Sequence, residues 1–371
     1  MIYLDSAATS LLKPACVRQA VIAAMSTAAS PGRGSHPAAE RAAEICYDCR
    51  ETLARLFNVK NPENIVFTTN ATHGLNIAIN TQIKAGRRVL ISGWEHNAVT
   101  RPLHALGAET LVADTPLFDT EAFLDCFARK LKQADSAVLC HVSNVFGCVL
   151  PLGECAALCR ESGKPLTIDA SQSAGALDID FEALGADFIA MPGHKGLMGP
   201  QGTGVLICKN GAEPLMYGGT GSNSRSSEMP HFLPDRLEAG THNVPGIAGL
   251  AASAAFLLRL GLPEVRRREA ALMETFCGEL QGADGVTLFR GKPQSAVLSM
   301  LPRGADVNLV GEKLGKAGVA VRAGLHCAPL AHSTAGTLET GTVRFSFSPL
   351  LSPAEAAKAA RITKAVVSSC V

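Results

Sequence analysis

Reactive side chains cluster just beyond short apolar runs of this 371-residue chain. The run 65–67 leads into TTNATHG (68–74), with Thr72 and the His73 backbone opening a helical pattern. Run 89–91 is followed by Glu95, His96 and Asn97, and run 138–140 by HVSN, which ends on Asn144. Run 166–168 is followed by Asp169 and Gln172. Run 188–190 opens onto PGHKGLMGPQGTG (192–204), which holds His194, Lys195 and five glycines. Exposed N–H groups and a hydroxyl at a helix start suit a phosphate. An imidazole can stack or move protons, and a lysine amine can condense with a carbonyl. Singly, each has a plainer reading. A threonine there is commonly an N-cap, and an aspartate ending a strand is often a turn residue. In a parallel α/β sheet, however, ligands bind at the carboxyl ends of strands, and these groups follow in sheet order.

The elements that must position them are short. Helical patterns span 14–29, 38–57, 72–83, 121–132 and 152–161, separated by continuous apolar runs at 65–67, 88–92, 110–113, 137–141, 165–168, 188–191 and 204–208. Continuous rather than alternating strands imply a mostly parallel sheet with helices on both faces. An irregular stretch, 217–245, is too long for an ordinary connection and reads as functional. Beyond it come helices at 246–260 and 263–280, then strands at 295–300, 319–322 and 342–347 with a helix at 306–315. A last helix begins at Pro353, and this final third reads as a separate α+β unit. The expected division is a large domain over 15–250 and a small one from 1–14 plus 251–371.

Composition narrows the class. Formal net charge is +1 and 47% of residues are hydrophobic, so nothing favours nucleic acid or a membrane surface. No apolar run reaches the length of a membrane span, and the start MIYLD does not read as a signal peptide. The twelve cysteines are irregularly spaced. Cys126, Cys140, Cys208 and Cys277 sit in apolar or helical patterns and read as small buried hydrophobes. Cys46 and Cys49 form a C-x-x-C inside a helix, without the second pair that zinc needs, so no metal is expected. Reduced thiols and a cytoplasmic location are the simplest expectation. Cys327 differs, lying in the polar loop LHCAP (325–329).

An amine, a carboxylate, a stacking ring and a phosphate site together are what pyridoxal 5'-phosphate needs. Its aldehyde takes a lysine, and its ring nitrogen stays protonated against a carboxylate. The chain resembles the cysteine desulfurase and selenocysteine lyase family, in the class V aminotransferase group of fold-type I pyridoxal-phosphate enzymes. The motifs run almost end to end: YLDSAATS (3–10), GSHP (34–37), NATHGLN (70–76), EHNA (95–98) and HVSNVFG (141–147). DASQSAG (169–175), GHKGLMGPQGTG (193–204), EAGTHN (238–243), VRAGLHCAP (321–329) and GTVRFSF (341–347) complete the series.

The resemblance implies a large domain with a mostly parallel, mixed seven-stranded sheet flanked by helices, and a smaller α+β C-terminal domain. It implies that Lys195 binds the cofactor and moves the substrate Cα proton, that Asp169 holds the ring nitrogen, and that His96 stacks on the ring. Gln172 would meet the ring hydroxyl, and Asn144 would lie against ring and substrate. Thr72, the His73 backbone and His194 would hold the phosphate, joined by Thr241 from a second subunit of a homodimer. Arg344 would clamp the substrate carboxylate, with His36 and Arg322 lining the pocket. Cys327 would take sulfur from L-cysteine as a persulfide, leaving L-alanine. The compact loop implies a protein sulfur acceptor that docks, as in iron–sulfur cluster assembly.

Three departures stand out. Pro192 replaces a serine that donates to the phosphate in many relatives, Ala71 and His73 replace a threonine and a glutamate, and His242 is unusual in its segment. They suggest a sub-branch with its own acceptor. Selenocysteine lyase shares every motif, and transamination is another class V outcome. A P-loop reading fails because its lysine follows the glycines and opens a helix, whereas Lys195 precedes most of them. Lys195, Asp169 and Arg344, all present, argue against an inactive scaffold.

Overall fold

The computed structural model describes residues 1–32, 34–283 and 285–370. Its seven-stranded sheet has the order Ile65–Thr68, Gly204–Cys208, Phe188–Pro192, Leu166–Asp169, Ser136–Cys140, Arg88–Ser92, Glu109–Ala113. Gly204–Cys208 is antiparallel to both neighbours, and the remaining pairs are parallel. The mostly parallel mixed sheet expected from the continuous apolar runs is therefore present. Its central strands are buried along their whole length. Alternate residues feed two cores. Phe67, Leu139, Ile168 and Ile189 point into one, and Val66, Val138, Phe188 and Leu206 into the other.

A second sheet is antiparallel, in the order Arg322–Gly324, Thr342–Ser346, Val297–Pro302, Val286–Phe289. It shares a core with helices Leu262–Glu279, Val307–Lys316 and Pro353–Ser368. Two details correct the sequence reading. Val286–Phe289 was not expected, and the single strand expected at 319–322 is two. Val319–Ala320 pairs with Ile2–Tyr3, while Arg322–Gly324 joins Thr342–Ser346. Two- and three-residue strands carry no readable alternation, so only their distant partners define them. Most of 217–245 lacks regular structure apart from the turn Asp235–Leu237, and helix Val244–Leu260 starts at its end. Among the described residues, no single helix is long and apolar enough to cross a membrane.

Candidate active site

The strand Phe188–Pro192 ends against Gly204, and the chain then folds back on itself through Lys195. The Gly193 amide donates to the Thr203 carbonyl at 2.9 Å, and the Gly199 amide to the Gly193 carbonyl at 2.7 Å. A Cβ on Gly193 would lie 2.1 Å from Thr203 Oγ1, and one on Gly196 2.5 Å from the Ala174 carbonyl. Glycine is required at both, because backbone and hydroxyl already fill the space. The N-terminal segment grips this loop from outside. The Ser10 amide, Ser10 Oγ and Thr9 Oγ1 all donate to the carbonyl of His194, at 2.8, 3.0 and 3.3 Å. Lys13 Nζ donates to Ser10 Oγ and to the Gly199 carbonyl at 2.8 and 2.7 Å.

Lys195 faces a cavity at the carboxyl ends of the sheet strands, the concave kind of site that small molecules use. His96, Asn144, Asp169, Gln172 and His194 line it too. Burial lowers the Lys195 amine to about 8, against the opposing pull of Asp169. His96 caps the helix Asn97–Ala105, its Nδ1 accepting the Ala98 amide at 2.9 Å. That bond leaves the proton on Nε2. Burial lowers His96 to about 4, with Asp169 opposing and Lys195 and Arg344 assisting, so its ring is neutral. Asp169 is 4% exposed, and its Oδ1 accepts the Ser171 amide at 2.9 Å. Behind them Glu95 is fully buried and accepts the Ser92 and Cys140 amides, tying together the strand ends that place His96 and Asp169. Burial raises Glu95 to about 7.

Arg344 is 2% exposed on its strand. Its Nη2 pairs with Asp5 Oδ1 at 2.8 Å and its Nη1 donates to the Asn144 carbonyl at 3.0 Å. The Nε–H has no partner, nor does Asn144 Oδ1. Asn144 Nδ2 donates to the His326 carbonyl at 2.8 Å, and the Asn97 amide to the Cys327 carbonyl at 2.8 Å. His326 and Cys327 both adopt left-handed backbone, φ 51° and 57°. For non-glycine residues such geometry costs about 1–3 kcal/mol each and gathers at functional sites. Cys327 is exposed and lies within electrostatic reach of both Lys195 and Arg344.

Other expected residues are placed less simply. Thr72 lines the cavity, but the His73 amide donates to the Asn70 side chain at 2.9 Å. That leaves the Ala71 and Thr72 amides free at this helix start among the described residues. Pro192 also lines the cavity, and the hydroxyls beside it are those of Thr72 and Ser171. Arg322 stands opposite Arg344 in the sheet. His36 is exposed and caps helix Pro37–Phe57, away from the cavity lining. Thr241, expected to serve a second subunit, is exposed and lines a hollow with Thr69 and His73. Its segment is anchored by Glu238, paired bidentately with buried Arg50 at 2.8 and 2.6 Å. Asp5, Arg50 and the Ser10 clamp went unread in the sequence, because each acts across more than 180 residues.

Three buried imidazoles set an acid limit. Burial pushes His141 and His332 down to about 4 and His326 to about 2. A free imidazole titrates near about 6.5. Below that, the unfolded chain binds protons that the native chain refuses. The stability these three contribute is present above about pH 6.5 and is lost as pH drops toward 4. Urea midpoints at neutral pH and near pH 5 measure this, and equal midpoints would contradict it.

The donors present suit pyridoxal phosphate. An unpaired lysine amine, a buried carboxylate, a neutral flat ring and free helix-start amides surround one cavity. The "Aminotransferase class-V" family model matches residues 2–357. A probable cysteine desulfurase of Methanothermobacter thermautotrophicus is 32% identical, over 93% of this chain and 89% of that protein. A cysteine desulfurase of Salmonella agona is 33% identical, over 88% and 84%. The solved apo structure of a cysteine desulfurase from Thermococcus onnurineus superposes with a TM-score of 0.90 at 28% identity, covering 99% of this chain and 95% of that one. The chain belongs to the class V aminotransferase family of pyridoxal-phosphate enzymes.

Proposed function

We propose that this enzyme is a cysteine desulfurase in which Cys327 accepts the sulfur. The observation that carries the reading is an exposed thiol on a strained loop, pinned by Asn144 and the residue after His96, beside Lys195 and Arg344. Bound pyridoxal phosphate would hold the substrate nitrogen and spread the electron pair left when the Cα proton departs. Asp169, the Ala71 and Thr72 amides, Thr72 Oγ1, His194 and Lys195 would hold it. Lys195, with its amine near 8, takes the Cα proton and returns it. The Arg344 Nε–H is the donor left for the substrate carboxylate. The Cys327 thiolate attacks the substrate sulfur: an S–S bond forms, the Cβ–S bond breaks, and Cβ gains a proton. Cys327 ends as a persulfide and L-alanine leaves.

Two copies would share the site through Thr241. Exposed Tyr217 and Phe232 on the same stretch, with Leu215 and Met216 just before it, support such an interface. Exposed Leu325 beside Cys327 suits a docking sulfur acceptor, through which sulfur would reach uses such as iron–sulfur cluster assembly. Twelve free cysteines suit a reducing cytoplasm.

Alanine release from cysteine and from selenocysteine, with and without Cys327→Ala, tests the reading. The variant should lose cysteine turnover by about 10²-fold or more, and selenocysteine turnover less, because selenium leaves more readily. Mass spectrometry should find one added sulfur on Cys327. Undiminished cysteine turnover in the variant would end the persulfide mechanism, and a keto acid in place of alanine would indicate transamination.

A further inference from the structure

Two imidazoles behind Cys327 have no part in the chemistry above. His332 is fully buried and His326 is 5% exposed. Their ring centroids are 5.6 Å apart with the planes tilted by 31°, and His332 also meets Phe146 at 5.7 Å. His326 Nε2 lies 3.1 Å from the Thr342 carbonyl and 3.2 Å from Thr342 Oγ1, and its Nδ1 has no partner among the described residues. His332 Nδ1 lies 2.8 Å from Thr337 Oγ1, and its Nε2 has no partner either. Burial first, then Arg344, His332 and Arg322, keep the His326 ring neutral. An apolar side chain could fill this space without leaving two nitrogens unpaired, which burial makes costly. Rings kept at that cost point to a need for their fixed bonds.

The stack sits where it can control the thiol. His326 precedes Cys327, and both are left-handed. His332 enters from helix Pro329–Thr334, the element just after Cys327, and the Thr337 amide closes onto its carbonyl at 2.8 Å. The chain on both sides of Cys327 therefore ends in one of the two stacked rings.

We propose that His332 and His326 form a buried stack that seats the Cys327 loop, making both positioning residues for sulfur transfer. This rests on Cys327 being the sulfur acceptor. The test uses the holoenzyme and the variants His332→Ala, His332→Phe and His326→Asn. Alanine release gives kcat and KM for cysteine, and mass spectrometry follows Cys327 alkylation by iodoacetamide. His332→Ala should lower kcat about 10–100-fold through a misplaced thiol, with KM within about twofold. Alkylation should be at least about fivefold faster as the loop loosens. His332→Phe keeps the ring against Phe146 but loses the Thr337 bond, so it should recover only part of kcat. His326→Asn tolerates left-handed backbone but has no ring to seat, so it should match His332→Ala.

Wild-type kcat and alkylation in His326→Asn and His332→Ala would overturn the proposal. Should His332→Ala not fold, His326→Asn and His332→Phe decide alone. If the unaltered enzyme releases no alanine from cysteine, the functional reading fails, and the alkylation rates still judge the seat.

Discussion

Lys195→Ala is expected to lower alanine release from cysteine by roughly 10⁴-fold, since it removes both the covalent anchor and the proton carrier. Among the described residues lining the cavity, the amine is the basic group that can give up its proton near neutral pH, because burial has brought it to about 8. His96 does not replace it. Its Nδ1 is occupied by the Ala98 amide and its ring is a far weaker base. Lys195→Arg should be equally inactive: it keeps the charge but never deprotonates. A small amine such as ethylamine should restore part of the Lys195→Ala rate by entering the vacated space. Borohydride should fix cofactor mass to the unaltered chain and to neither variant. More than about 1% of normal activity in Lys195→Arg would remove Lys195 from the proton transfer.

Arg344→Leu should lower kcat/KM for cysteine by roughly 10–100-fold, mostly in KM. One charge-assisted hydrogen bond from the free Nε–H to a carboxylate, at about 1.5–3 kcal/mol, accounts for that size. The variant should also lose stability, by about 3–5 kcal/mol, as the buried partner of an ion pair disappears. Asp5 would lose its guanidinium and the Asn144 carbonyl its donor. Arg344→Lys keeps charge without the fork and should fall between. Asp5→Asn keeps an acceptor, so it should affect stability less than Arg344→Leu. Steady-state kinetics and urea unfolding separate the two effects. An unchanged KM in Arg344→Leu would mean that the substrate carboxylate binds elsewhere.

Much of this site was legible in the sequence. Asp169, Asn144 and Lys195 follow buried strands, and a run of apolar residues ending in a polar one is local information. Glycine at 193 and 196 marked the close packing around Lys195. Cys327 stood out because it alone among the cysteines singled out sits in a polar loop, and it is exposed. The phosphate reading was less exact. Asn70 takes the His73 amide, because the N-cap is settled by side-chain geometry and not by the motif alone.

By itself the sequence determined the strands of the large sheet, which strand ends carry reactive groups, and which family the motifs spell. Those properties depend on burial period, turn chemistry and capping within a few residues. Tertiary structure alone decided the partners. It joined Asp5 to Arg344 across 339 positions and Arg50 to Glu238 across 188. It set Ser10 on the carbonyl before Lys195, and His332 against the residue before Cys327. It also took His36 out of the cavity lining. No periodicity encodes such pairs. They follow from strand order and from how the N-terminal segment lies between the two sheets, which the whole chain's packing selects.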